Sequence, residues 1–195
     1  NTELNGKLSL AIKIFKNEYR KKFLHQLVSS QMDMDRLDYL KRDSFYTGVS
    51  EGVISSERII KMLHVKDDTL VIEHKGIYSV EKFIIARRLM YWQVYLHKTV
   101  LAAENLLVNI LKRAKELAEN RVELFCTPAL NEFLKNNYSE KDFRKKRSLL
   151  NTFARLDDYD IMTSVKVWMN HKDQVLATLC EMMINRHLYR TEMQN

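Results

Sequence analysis

The stretch MDMDRLDYLKRD, residues 32–43, places four aspartates among apolar residues at helical spacing. Met34, Leu37 and Leu40 recur every three residues, which predicts a helix with one side turned toward a core. A carboxylate is costly to bury unless a cation, a hydrogen-bond donor or a metal ion accompanies it. The stretch therefore predicts a helix that carries carboxylates near the interior for a chemical purpose.

Three side chains of this helix share one face. Asp35, Tyr39 and Asp43 follow one another at intervals of four residues, and Arg36 and Arg42 flank them. A hard oxygen ligand, a phenol, a second carboxylate and a cation together suit one wall of a site for a phosphorylated ligand with a divalent metal ion. The alternative is a solvated helix surface on which the aspartates pair with arginines.

A second stretch, ARRLMYWQVYLHKTV at residues 86–100, repeats this spacing. Arg87, Tyr91 and Tyr95 again lie four residues apart, and Lys98 follows within one turn. An arginine can bind phosphate oxygens in a bidentate manner, and tyrosines can contact a sugar or a base. The alternative is that the aromatic residues are core residues and contact no ligand.

Composition limits the classes of protein that this chain can represent. With 195 residues, 46% of them hydrophobic and 29% charged, the chain can bury a core. It contains no apolar run long enough for a membrane span, and NTELNGKLSL does not resemble a secretion signal. We therefore expect a cytoplasmic protein with no membrane partner. The net charge of +7 favours phosphate-bearing partners without specifying one.

The positions of glycine and proline predict a mainly α fold with one small β-hairpin. All four glycines lie within the first 76 residues and the single proline is Pro128, so long helices are expected from residue 77 onward. The hairpin is predicted to pair residues 70–73 with residues 76–78. The predicted helices cover residues 8–15, 19–27, 35–45, 57–63, 80–118, 149–155, 157–169 and 171–189.

Several helix ends can be predicted from their capping residues. Ser79 is expected to cap the long helix, which we expect to bend within residues 99–105. Thr127 followed by Pro128 predicts the start of another helix, and Ser139 with Asp142 resembles a capping box.

Taken together, the two stretches resemble the HD-domain phosphohydrolases. The pattern S-S-Q-x-D-x-D-R-x-D-Y-L-x-R-D and the later ARRLMYWQVYLHKTV are similar to the bacterial branch related to dGTP triphosphohydrolases and to the animal sterile-alpha-motif/HD-domain dNTP triphosphohydrolase. The resemblance implies part of an HD-type helical bundle over residues 1–120 and a helical accessory subdomain over residues 121–195.

The resemblance also implies roles for residues of the first stretch. By motif position, Asp35 matches a metal ligand and Arg36 matches a triphosphate contact. Tyr39 and Asp43 match residues that meet the deoxyribose, with Asp43 accepting its 3′-hydroxyl. Asp33 matches no ligand-binding position, and we expect it to cap the helix N-terminus.

In the second stretch, Arg87 matches a terminal-phosphate contact and Tyr95 a residue near the sugar and the base. Lys98 is a further candidate for phosphate. Family members cleave dNTPs to deoxynucleoside and triphosphate with a divalent metal ion (Mg, Mn, Fe, Ni or Zn), and many form homo-oligomers. The resemblance thus implies a dNTP substrate for the intact parent protein.

The family's His-Asp pair is absent, because none of the six histidines is followed by aspartate. In the family, that pair and a further histidine ligand precede the motif found here. We therefore expect the chain to begin inside a longer protein. One carboxylate does not replace a four-ligand site. By itself, the chain is expected to hold no catalytic metal and to hydrolyse nothing.

An alternative function is a helical module that binds nucleotide or nucleic acid, or that mediates oligomerisation, without catalysis. The segment KDFRKKR, residues 141–147, holds five cations that could meet nucleic acid or a regulatory nucleotide. The competing interpretation is a solvated basic surface. The methionines of the C-terminal region could form a subunit contact or simply pack in a core.

Overall fold

The computed structural model describes residues 4–190, and these form a mainly α structure with one antiparallel hairpin. This confirms the predicted fold class. None of the helices in the described part of the chain combines the length and apolar character needed to cross a bilayer. The helices are α1 (Ser9–Phe15), α2 (Lys22–Val28), α3 (Met34–Thr47), α4 (Ser56–Lys61), α5 (Ile77–Met90), α6 (Lys98–Glu119), α7 (Pro128–Lys135), α8 (Glu140–Lys145), α9 (Arg147–Phe153), α10 (Asp158–Trp168) and α11 (Gln174–Ile184). The strands are β1 (Leu63–Lys66) and β2 (Thr69–Ile72).

The chain divides into two compact units between His97 and Lys98. The first unit contains α1 to α5 and the hairpin, and the second contains α6 to α11. This division differs in position from the predicted boundary between residues 120 and 121, which stays a prediction.

The core of the first unit is built around α3 and α5. Leu37 and Leu40 of α3 are buried against Phe83, Ala86 and Met90 of α5. The apolar spacing of the sequence therefore marks the buried side of α3 correctly for these two leucines. Ile54 and Ile59, from the segment around α4, complete this cluster.

The helix α3 begins and ends at the positions that its capping residues specify. Asp33 is buried and accepts a 2.9 Å hydrogen bond from the backbone N–H of Arg36, which confirms its predicted role as N-cap. Gly48 ends the helix in the left-handed conformation, with φ of 72°.

The predicted pairing of the hairpin is wrong. The strands pair Leu63 with Ile72 and Lys66 with Thr69. Gly76 instead ends a 3₁₀ turn, and residues 77–78 begin α5. Asp67 and Asp68 form the two-residue turn, with φ values of 50° and 58°. Such a turn needs positive φ at both positions, and aspartate tolerates it better than most residues do.

The predicted helix over residues 80–118 is also interrupted at a different place. A π-helical turn covers Tyr91–Tyr95, where the N–H of Leu96 donates to the carbonyl of Tyr91 over 2.7 Å. The break thus precedes the expected bend within residues 99–105. Ser79 lies inside α5, which begins at Ile77, so its predicted role as N-cap is wrong.

In the second unit, α7 and α11 pack against the long helix α6, and α10 packs against α7 and α11. Leu106, Ile110 and Ala114 of α6 are buried in one cluster with Trp168 of α10 and Cys180 of α11. The indole N–H of Trp168 donates to the carbonyl of Phe125 over 2.8 Å, so the polar edge of this buried ring is satisfied.

Two predicted helix starts in the second unit are confirmed. The Thr127 side chain accepts from the N–H of Leu130, with Pro128 as the first helical residue of α7. At α8, Ser139 and Asp142 form the capping box, in which the Ser139 N–H donates to the Asp142 carboxylate over 2.8 Å.

Candidate functional site

A cleft of about 390 Å³ opens between α3 and the π-turn of the first unit. Asp35, Arg36 and Tyr39 line it from α3, and Tyr91 and Tyr95 line it from the π-turn. The structure thus brings together four of the residues that the sequence selects as site candidates. The cleft joins one carboxylate, one guanidinium and three phenols.

The π-turn explains how Arg87, Tyr91 and Tyr95 come to face the same side. In an α-helix, a step of four residues overshoots a full turn by about 40°. In a π-turn, each N–H donates to the carbonyl five residues earlier, and the chain rotates less per residue than in an α-helix. The step from Tyr91 to Tyr95 therefore does not add a further 40° to the rotation that separates Arg87 from Tyr91. The rings of Tyr91 and Tyr95 meet edge to face, with centroids 5.1 Å apart.

Asp43 joins the site through Tyr95. The Tyr95 hydroxyl donates to the Asp43 carboxylate over 2.6 Å, which links α3 to the π-turn. Burial first, and then this hydrogen bond, raise the pKa of Tyr95 above its ordinary value. Tyr95 is therefore a neutral donor at physiological pH, and Asp43 is held in one orientation at the edge of the cleft.

Tyr39 is the third phenol of the cluster. Its ring lies edge to face with that of Tyr95, with centroids 6.1 Å apart. Burial raises the pKa of Tyr39, while the nearby charges of Arg87 and Arg36 act in the opposite direction. Both arginines are therefore close enough to bring positive charge to the rim of the cleft.

The two arginines are held by different partners. Arg36 forms an ion pair with Asp33 and donates to the carbonyl of Ser30 over 2.6 Å. Arg87 lies over the ring of Tyr91, with its guanidinium carbon 5.7 Å from the centroid, and donates to the side-chain oxygen of Gln31 over 3.1 Å. These contacts orient both cations without neutralising Arg87.

Lys98 differs from the other candidates in its location. It is the first residue of α6 in the second unit, and its side chain lines another cleft together with Thr99, Arg186 and Arg190. The roles of all seven candidates, including Lys98, stay predictions.

The described residues do not form a metal site by themselves. Within residues 4–190, no group of three or more His, Cys, Asp or Glu side chains is arranged to hold a metal ion. Asp35 can supply one oxygen ligand at the cleft, but a single carboxylate does not hold a divalent ion.

One residue of this site has no signal in the sequence. The spacing of Tyr91 from Arg87 predicts their shared face but leaves open whether Tyr91 contacts a ligand or packs in a core. Gln31 carried no signal, because its contact with Arg87 joins residues 56 positions apart.

The chain is similar to several known proteins. Residues 54–128 match the family described as "HD associated region". The chain is also similar to a crystallised phosphohydrolase from Bacteroides thetaiotaomicron VPI-5482, with 63% sequence identity and a TM-score of 0.96, over 98% of this chain and 48% of that one. These matches support a relationship between this chain and the HD-domain phosphohydrolases.

Curated relatives extend the comparison. Uncharacterized protein YwfO of Bacillus subtilis is 37% identical over 88% of this chain and 38% of its own length. The deoxynucleoside triphosphate triphosphohydrolase SAMHD1 homolog of Dictyostelium discoideum is 29% identical over 48% of this chain and 19% of its own length. The chain therefore spans less than half the length of these relatives.

Proposed function

We propose that this chain forms the nucleotide-binding wall of a metal-dependent phosphohydrolase that cleaves dNTPs to deoxynucleoside and triphosphate. The observation that carries the proposal is the cleft in which Asp35, Arg36 and three tyrosines meet, with Asp43 bonded to Tyr95. The phosphohydrolase from Bacteroides supports the reaction class. The Dictyostelium relative supports a deoxynucleoside triphosphate as substrate.

The sugar is proposed to bind at the Asp43 end of the cleft. The Tyr95 hydroxyl occupies one lone pair of the Asp43 carboxylate, and a carboxylate has further acceptor sites for a 3′-hydroxyl. The rings of Tyr39 and Tyr95 offer apolar surface and a fixed shape beside it. A sugar with its hydroxyl group in this position would be oriented by a charge-assisted hydrogen bond.

The phosphates are proposed to bind toward the arginine end. Arg36 lines the cleft, and the guanidinium of Arg87 lies over the ring of Tyr91, which also lines it. Anchoring by Asp33 and Ser30 holds Arg36, and the Gln31 contact holds Arg87. Preoriented cations stabilise negative charge that develops on a leaving triphosphate.

The proposed metal site needs more ligands than the described residues supply. Asp35 is proposed as one oxygen ligand at the phosphate end of the cleft, with the remaining ligands supplied by the longer protein. A divalent ion would supply Lewis-acid activation and a nucleophilic water. Homo-oligomeric assembly and a cytoplasmic location are part of the same proposal.

The test is substitution of Asp35 in the longer protein that contains this chain. We expect Asp35→Ala to abolish metal-dependent release of triphosphate from a panel of four dNTPs, measured by anion-exchange chromatography. Asp38→Ala is the matched control, because Asp38 lies on the same helix, is exposed and pairs along the helix with Arg42. It is expected to retain turnover. Full turnover by Asp35→Ala would refute the assignment.

A further inference from the structure

The junction of α8 and α9 in the second unit is strongly basic. Lys145 ends α8, Lys146 lies between the two helices and Arg147 begins α9. Lys141 and Arg144 lie on α8 itself, and all five cations are exposed. From here on, this surface is called the basic corner.

The acidic residues of the basic corner are already engaged. Glu140 accepts a 3.1 Å hydrogen bond from Arg144 one turn along α8. Asp142 is held by Ser139 in the capping box, and its hydrogen bonds with Ser139 lower its pKa. Lys145 and Lys146 also contribute to the lowered pKa of Asp142, so its charge offsets part of theirs. Five cations against two carboxylates still leave the corner with net positive charge.

Helix stability accounts for only part of the charge of the corner. Cations in the last turn and at the C-cap of α8 interact favourably with its dipole, which applies to Arg144, Lys145 and Lys146. Lys141 in the first turn of α8 and Arg147 at the first position of α9 gain no such stabilisation from the dipole of their own helix. The corner therefore carries more positive charge than its helix ends require.

Apolar and aromatic side chains continue the same face of α9. Lys146, Leu150 and Phe153 follow at intervals of four and three residues, so they share one side of the helix. Leu150 is 52% exposed and Phe153 is 54% exposed. The ring of Phe153 is held edge to face by Phe143 of α8, with centroids 5.9 Å apart.

We propose that the basic corner binds single-stranded nucleic acid, with phosphates on Lys145 and Lys146 and a base on the exposed ring of Phe153. Single-stranded partners are recognised by cations along the backbone together with aromatic rings on which bases stack. A duplex has no base faces available for such a ring, so the Phe153 side chain favours the single strand. This surface belongs to the second unit, whereas the proposed nucleotide cleft belongs to the first.

The test uses the 195-residue chain and a fluorescein-labelled oligothymidylate of twenty nucleotides, with affinity measured by fluorescence anisotropy from 25 to 200 mM KCl. For the double variant Lys145→Ala/Lys146→Ala we expect at least ten-fold weaker binding at low salt. Its log–log salt slope should be shallower by about 1.4, because each lost contact with a single strand removes about 0.7.

A matched control and an aromatic variant separate phosphate contacts from stacking. Lys166→Ala/Lys172→Ala removes two exposed cations from the same unit and should bind within two-fold of the unaltered chain. Phe153→Leu keeps apolar bulk and should weaken binding about five-fold without changing the salt slope. Circular dichroism confirms that each variant is folded.

Three results would overturn the proposal. The first is an equal loss of affinity in the control and in the Lys145/Lys146 variant. The second is equal affinity of the chain for a duplex of the same sequence, and the third is that the chain does not bind the oligonucleotide. Binding to vesicles of phosphatidylcholine with 30% phosphatidylserine that depends on the same lysines, without binding to the oligonucleotide, would assign the corner to a membrane surface instead.

Discussion

The ion pair between α6 and α11 provides a quantitative test of the second unit. Arg113 donates to both oxygens of Asp173, over 3.1 Å from Nε and 2.6 Å from Nη2. Asp173 is also the N-cap of α11 and accepts from the N–H of Leu176 over 2.8 Å. The guanidinium of Arg113, followed by the Leu176 hydrogen bond, lowers the pKa of Asp173 to about 2.

The magnitude follows from the difference between the folded and unfolded pKa values. A shift from the ordinary value of 3.8 to about 2 corresponds to about 2.4 kcal/mol at neutral pH. Because a third of the Arg113 side chain is exposed, solvent screening reduces this to about 1–2 kcal/mol. The folded pKa is the lower one, so this stabilisation is complete above about pH 5 and is lost as the pH falls toward 2.

The substitution Asp173→Asn removes the charge and keeps a side-chain oxygen for the helix cap. We expect it to lower the free energy of unfolding by about 1–2 kcal/mol at pH 7 and by about half as much at pH 3. Urea unfolding followed by the fluorescence of Trp168 measures this. Trp92→Phe in every variant makes the buried Trp168 the sole tryptophan, so the signal reports the second unit.

The control is Glu104→Gln, which removes one exposed carboxylate from α6 in the same unit. It should change the free energy of unfolding by less than about 0.5 kcal/mol. The reasoning is refuted if Asp173→Asn costs the same at pH 3 as at pH 7, or if the control is equally destabilised.

Three further outcomes are expected. A Cβ at Gly52 would lie 2.8 Å from the Cβ of Ser44, so Gly52→Ala should lower the free energy of unfolding by about 1–3 kcal/mol, and an unchanged urea midpoint would contradict this close approach. Tyr95→Phe removes the donor to Asp43 and should raise the KM for the proposed dNTP substrate about ten-fold in the proposed longer protein, whereas an unaltered KM would argue against a sugar site there. Burial raises the pKa of Cys180 to about 12, so mass spectrometry should find it modified by iodoacetamide only in urea; rapid modification of the native chain would contradict its burial.

The helix that carries the site could be predicted because its signals are local. Asp33 at the N-cap, Gly48 at the end and the buried leucines all act within one helix. The shared face of Asp35, Tyr39 and Asp43 follows from helical spacing alone. The resemblance to HD-domain phosphohydrolases depended on the same residues, and the comparisons support that family.

The positions at which one secondary-structure element ends and the next begins are predicted less accurately from the sequence. The hairpin uses an Asp67-Asp68 turn with positive φ at both residues, and no glycine marks it. The π-turn at Tyr91–Tyr95 contains neither glycine nor proline, so propensity does not distinguish it from the α-helix on either side.

The sequence by itself determined the helical class, the main caps and the residue types offered to a ligand, because propensity and periodicity act over a few neighbouring residues. Only the tertiary structure decided that the Tyr95 hydroxyl meets Asp43 and that Gln31 holds Arg87, since these contacts join residues 52 and 56 positions apart. Such contacts depend on how α3 and α5 pack and on the local rotation of the π-turn, and neither is encoded by spacing within one helix.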